Sequence, residues 1–198
     1  MKKMLMTVAV AAVSLSAVAT AADNFSGGYA GVQAGAAFRT QYKKKPATVT
    51  LGGTAVVANL LGGYGSVFSE NLYAGAEGQI GTGFGQNKKK YADGTTKYKY
   101  NGFVTLGGRL GYLPSQEVML FASLAVGAEN TIVKAPDAEK TTFKGSHTGM
   151  IMLPGVGAEV KVAQNVNLRA DLSYKFAWHK NGVKTRQPIA KLGVVYKF

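Results

Sequence analysis

The chain has 198 residues, 23 Lys and Arg against 10 Asp and Glu, and a formal net charge of +13. That length fits one domain, and no shift in composition marks a second. With no cysteine and only two histidines, it has no disulfide framework and no metal-ligand cluster, and no cofactor is expected.

Lys2 and Lys3 precede a mainly apolar run from Met4 to Val13, and Ala19-Thr20-Ala21 supplies an Ala-x-Ala cleavage site. This is the pattern of a secretory signal peptide, residues 1–21, cleaved after Ala21. A retained spanning helix needs about 20 predominantly apolar residues, and Ser14, Ser16 and Thr20 dilute this segment. The exported protein, residues 22–198, is then a single domain.

From there onward, strand signals follow one another. The first strand is expected over Gly28 to Phe38, with Ala30, Val32, Ala34, Ala36 and Phe38 on one face and Tyr29, Gln33 and Arg39 on the other. The second covers Thr54 to Phe68 and the third Leu72 to Phe84, separated by Ser69-Glu70-Asn71. The fourth, Tyr98 to Leu113, carries Val104, Leu106, Leu110 and Tyr112 on its apolar face and Lys99, Asn101, Thr105 and Arg109 on its polar face. Pro114-Ser115-Gln116 turns into the fifth, Val118 to Val133. The sixth, Thr148 to Val162, contains Pro154, for which a bulge is expected, and Ala163-Gln164-Asn165 leads into the seventh. The seventh, Val166 to Trp178, alternates most regularly: Val166, Leu168, Ala170, Leu172, Tyr174, Phe176 and Trp178 are apolar, with Asn167, Arg169, Asp171, Ser173 and Lys175 between them. Period two is a strand signal, because successive side chains point to opposite faces. The eighth strand, Pro188 to Phe198, repeats the design.

Short turns after the second, fourth and sixth strands alternate with long segments after the first, third, fifth and seventh. The fold class predicted is all-β, an eight-stranded antiparallel up-and-down transmembrane barrel with short periplasmic turns and longer extracellular loops. Closure satisfies the edge hydrogen bonds that lipid cannot. A soluble ligand-binding barrel would place the apolar face inside, and the aromatic residues decide against it. Tyr64, Tyr112, Tyr196 and Phe198 fall near the short-turn end, and Phe38, Phe84, Tyr98, Tyr100, Phe176 and Trp178 near the other, as two interfacial girdles.

The polar face therefore lines the lumen, where Glu77, Arg109, Glu129, Glu159, Arg169, Asp171, Lys175 and Lys191 form a charged cluster. Glu159 and Arg169 are equidistant from their turn and are expected opposite one another. Eight strands leave a lumen just wide enough to be filled by side chains. Gly75, Gly107, Gly111, Gly127, Gly155, Gly157 and Gly193 give the large residues room, and the cluster reads as a structural plug. The competing reading is a filter or gate in a narrow solute channel.

Without Lys2 and Lys3, 21 basic residues face 10 acidic ones, and the four long segments carry the whole excess. Arg39, Lys43, Lys44, Lys45, Lys88, Lys89, Lys90, Lys97, Lys180, Lys184 and Arg186 make this face basic. Anionic partners are expected there, lipopolysaccharide phosphates or host surface polyanions, in a salt-dependent manner. The bland alternative is a solvated loop surface. No nucleic-acid motif accompanies the lysines. Catalysis finds little support, since His147 and His179 read as loop-edge polar residues with no orienting carboxylate in view. A barrel enzyme acting on lipid A is the weaker alternative.

With its signal peptide, eight alternating strands and Val194-Val195-Tyr196-Lys197-Phe198, the chain resembles the small eight-stranded outer-membrane barrels of the OmpA N-terminal and OmpX type and related proteobacterial surface antigens. The resemblance implies multi-pass residence in the bacterial outer membrane and contact with its lipid. It also implies recognition of Val194, Tyr196 and Phe198 by the barrel-assembly machinery. No peptidoglycan-binding domain is expected after the barrel, and a monomer is expected.

Overall fold

A computed structural model of the chain describes residues 24–44, 47–84, 86–91, 94–136, 142–179 and 184–198. The signal-peptide assignment lies outside these residues. Nine strands account for nearly all of them: β1 (Gly27–Lys44), β2 (Ala47–Ser69), β3 (Leu72–Phe84), β4 (Gln86–Tyr91), β5 (Gly94–Ser115), β6 (Val118–Pro136), β7 (Thr142–Ala163), β8 (Val166–His179) and β9 (Lys184–Lys197). Their order in space is β3-β2-β1-β9-β8-β7-β6-β5-β4, and a direct β3–β5 pairing closes the ring. β4 adds no ninth wall strand. It continues the third strand beyond residue 85 and pairs with the far end of β5, from Gln86↔Lys99 to Tyr91↔Gly94. The result is the closed antiparallel eight-stranded barrel that the alternation predicts.

Side-chain exposure settles which face is which. Leu106, Leu110, Leu172 and Leu192 are each more than 60% exposed on the outer wall, whereas Arg109, Glu159 and Lys175 are at most 2% exposed inside. A soluble barrel would have the reverse distribution. An outward arginine or lysine at mid-depth would cost about 2–4 kcal/mol in lipid. Tyr64, Phe68, Tyr112, Tyr196 and Phe198 are exposed at the short-turn end, and Phe38, Phe84 and Trp178 at the other. Tyr98 and Tyr100 lie on β5, with side chains outside the description.

The tight turns are one or two residues shorter than expected. Glu70-Asn71, Gln116-Glu117 and Gln164-Asn165 are the residues left between strands, and a register irregularity flanks each pair. The carbonyls of Asn71, Glu117 and Asn165 accept the amides of Leu113, Lys161 and Lys197, each at 2.8 Å, so the rim is hydrogen-bonded from hairpin to hairpin. Phe198 closes it by donating to Gly28 O at 3.0 Å. Beside that junction the chain turns at Gly27, whose φ of 102° suits glycine.

Two sequence expectations change. The segments expected as long loops are mostly strand, since β1 runs to Lys44, β2 begins at Ala47 and β5 begins at Gly94. Threonine- and valine-rich stretches such as Thr48-Val49-Thr50 favour continued pairing over looping out. Strands of 22 or 23 residues would measure about 70 Å at ordinary rise, far more than the ~25 Å apolar band of such barrels. The ladder therefore continues past the lipid. Pro154, where a bulge is expected, faces outward without one: β6–β7 pairing runs unbroken through Leu124↔Pro154. The β7–β8 ladder skips only Leu153 and Pro154 before resuming in register. A missing N–H removes the bond without inserting a residue.

Candidate functional site

The lumen is filled in layers. At the short-turn end, Phe25, Tyr73, Leu113, Met119 and Phe121 form a buried apolar cluster. Phe25 comes from the segment before β1, which crosses the mouth: Asn24 Nδ2 donates to Gln116 O at 2.8 Å, Val67 N donates to Ser26 Oγ at 2.8 Å, and Lys161 Nζ donates to Asn24 Oδ1. Lys197 Nζ donates to Phe25 O at 2.7 Å and lies 4.6 Å from the Tyr29 ring centroid. In the ring of wall strands β1 stands opposite β6, so contact with the β5–β6 turn takes this segment across the full width of the mouth.

Above it lies an ionic layer contributed by five strands. Arg109 on β5 donates to Glu77 Oε2 at 3.2 Å and to Glu159 Oε2 at 2.9 Å. Arg169 on β8 reaches both Glu77 and Asp171. Tyr29 donates to Glu77 at 2.9 Å, Asn167 to Glu159 at 2.8 Å, and Gln33 to Asp171. Lys191 donates to Gln79, which itself donates to Glu77 at 2.7 Å. The Phe121 ring is within cation–π distance of both guanidiniums, 4.1 Å from Arg109 and 4.7 Å from Arg169. Gly157 sits where a side chain would strike that ring. Of the expected cluster, Glu77, Arg109, Glu159, Arg169, Asp171 and Lys191 thus share one network. Glu159 and Arg169 are register partners as expected, but their ion pairs go elsewhere, because a side chain pointing into a narrow tube can reach the opposite wall.

Glu129 and Lys175 stand apart, paired at 2.7 Å in a second group nearer the long-hairpin end. His179 joins them, with Nε2 3.5 Å from Glu129 Oε1. It is a buried lumen residue, not the loop-edge group expected, since its parity matches Lys175. Thr185 Oγ1 lies 3.5 Å from the same Nε2. A nucleophile–base–acid relay needs hydroxyl and carboxylate on opposite ring nitrogens, and this geometry offers both to one. His147 lies on β7, with its side chain outside the description.

Between the ionic layer and the long-hairpin end comes a feature the alternation did not suggest: Ala37, Ala55, Val57 and Ile189 pack inside the lumen with Leu153. Glu77, Arg109, Ser123, Leu153, Asp171 and Lys191 bound a small cavity of about 30 Å³, room enough for ordered water. Lys197 is the other lumen cation that sequence reasoning left out, although its parity with Val195 and Gly193 marks it as inward.

The basic residues are spread over the opposite end. Arg39, Lys43 and Lys44 lie on β1, Lys88, Lys89 and Lys90 on β4, and Lys97 on β5, their side chains outside the description. Lys45 and Lys180 lie outside the described residues altogether. Lys184 and Arg186, expected in a loop, are on β9 and face outward from the wall, exposed. Val194, Tyr196 and Phe198 are exposed on the outer face at the short-turn end.

Among solved structures, Ail, the attachment invasion locus protein of Yersinia pestis, is similar in its complex with the heparin analogue sucrose octasulfate. It is 19% identical with a TM-score of 0.50, covering 87% of this chain and 99% of that one. Neisserial surface protein A (NspA) is likewise 19% identical, with a TM-score of 0.51, covering 87% of this chain and 98% of the other. The outer membrane protease OmpT from Escherichia coli is 10% identical with a TM-score of 0.46, covering 92% and 99%. The sequence matches none of the curated proteins compared with it. The outer membrane protein beta-barrel domain model matches residues 7–198, nearly the whole chain, and with the closed ring, the lipid-facing leucines and the filled lumen it shows that the chain belongs to that outer-membrane barrel family.

Proposed function

We propose that this barrel is a structural protein of the bacterial envelope whose protruding hairpins bind sulfated or phosphorylated polyanions at the cell surface. One observation carries the reading: the excess positive charge falls in the four chain segments that join strands at the end away from the tight turns, while inside the barrel carboxylates and cations pair. An uncompensated basic surface attracts polyanions and releases them as salt rises. The complex of Ail with a heparin analogue supplies an example of a like-folded barrel in contact with such a ligand. The filled lumen supports a scaffold role for the wall and leaves the surface to do the binding.

Replacing Lys43, Lys44, Lys45, Lys88, Lys89 and Lys90 with Gln tests the reading by heparin-column elution and titration of the detergent-solubilised barrel. The wild type is expected to elute at distinctly higher salt, with affinity at least tenfold above the variant. Equal elution of the two proteins would refute the reading.

A further inference from the structure

The charges inside the barrel do not balance. Among the described residues, the buried cations are Arg109, Arg169, Lys175, Lys191 and Lys197, and the buried carboxylates are Glu77, Glu129, Glu159 and Asp171. With His179 neutral, five against four leaves one positive charge over. The ion pairs show where it falls. Arg109, Arg169, Lys175 and Lys197 each have a carboxylate within ion-pair distance. Lys191 has none among the described residues, although Asp171 is its register partner. The Asp171 oxygens accept from Arg169 and Gln33 instead. The Lys191 ammonium donates to Gln79 Oε1 at 3.1 Å, an uncharged acceptor. A buried charge without a counter-charge is costly.

Lys191 borders the cavity of about 30 Å³ in this layer, and Arg109, Ser123 and Ser173 border it too. Arg109 Nε and Ser173 Oγ are buried there without a hydrogen-bond partner. The register sets Ser123, Gly155 and Ser173 side by side on β6, β7 and β8. A side chain at Gly155 would come within 3.0 Å of Ser123 Oγ and 3.2 Å of Ser173 Cβ, so glycine keeps the space between the serines open. Glu77 and Asp171 also line the cavity. The Glu77 oxygens already accept from Tyr29, Gln79, Arg109 and Arg169, so the groups left to serve an occupant are mainly donors.

We propose that this cavity binds a monovalent halide, chloride being the abundant one, as the counter-ion of Lys191. The ammonium supplies the charge, and the Ser173 hydroxyl and Arg109 Nε–H supply hydrogen bonds. Charge selects an anion over water, because water satisfies donors without neutralising the ammonium. Size selects a single-atom anion, because a space suited to ordered water is too small for a five-atom phosphate or sulfate. The ion completes the plug from within, and the proposal is independent of polyanion binding by the hairpins.

The full-length barrel in detergent is crystallised from sodium bromide, and its urea midpoint is measured in sodium chloride, sodium bromide and sodium gluconate at equal ionic strength. An anomalous bromide peak is expected in the cavity, within hydrogen-bond reach of Lys191 Nζ. The midpoint should rise saturably with halide, by about 1 M urea once chloride is about a hundred times its dissociation constant, and should not rise with gluconate. Lys191→Met removes the surplus charge and should unfold at one urea concentration in all three salts. If that variant does not fold, the bromide crystal decides alone. Water alone in the cavity, or bromide at exposed lysines only, would overturn the proposal. So would a wild-type midpoint equal in halide and gluconate, the result expected had Lys191 lost its proton, or a halide dependence that survives in Lys191→Met.

Discussion

Arg109→Ala is expected to destabilise the barrel by about 3–5 kcal/mol, because it strips the shared cation from two buried carboxylates. Glu77 and Glu159 are at most 5% exposed, and Arg109 contacts them at 3.2 Å and 2.9 Å. Removing the guanidinium also takes one of the two cations from the Phe121 ring and leaves Tyr29 without its donor at 3.2 Å. Urea unfolding of the barrel in detergent, followed by Trp178 fluorescence, measures the loss. Adding Glu159→Gln to the Arg109→Met variant should recover part of it, since Glu77 keeps Arg169 and no buried carboxylate is then left without its guanidinium. A cost below about 1 kcal/mol, the range of exposed ion pairs, would mean that bulk water reaches the layer and that the lumen is open.

Phe25→Ala is expected to cost a similar amount, about 3–5 kcal/mol for truncating a fully buried aromatic side chain. Phe25 is 0% exposed and fills the mouth between Tyr73, Leu113, Met119 and Phe121. Phe25→Leu, which keeps most of the apolar volume, should lose less than half as much. The pair of variants separates filling of the mouth from the bonds of Phe25 O to Lys197 and of Asn24 Nδ2 to Gln116 O, which both retain. If Phe25→Ala unfolds at the same urea concentration as the wild type, the segment is not a plug.

These two residues mark the limits of the sequence. Arg109 was visible as an inward charge because parity along β5 places it opposite Leu106 and Leu110. Its partners were not, since Glu77 lies on the neighbouring strand and Glu159 two wall strands away on the other side, and only the width of the closed tube decides who meets whom. Phe25 precedes the first alternating strand, and no local period assigns it to a face. Lys197 and His179 are different cases. Each continues an inward series, Gly193 and Val195 in one and Lys175 and Ala177 in the other, and parity alone would have placed them in the lumen. The apolar lumen residues Val57 and Ile189 were hidden because Val56-Val57-Ala58 and Pro188-Ile189-Ala190 are apolar on both parities, so alternation does not tell their faces apart. Tight turns, girdles and strand order were legible, being consequences of period and spacing. The length of the outer hairpins was not, because lysine runs suggest solvated loops while their threonine-rich neighbours sustain the ladder.

The central claim is a closed transmembrane barrel in the outer membrane, and gel mobility tests it most directly. Separated outer membranes from expressing cells are solubilised in dodecyl sulfate and run with and without boiling. The account predicts that the protein is found in that fraction and that its unboiled band migrates apart from the boiled one, because a hydrogen-bonded ring resists the detergent until heated. A protein recovered from the soluble periplasm, with one mobility under both conditions, would contradict it.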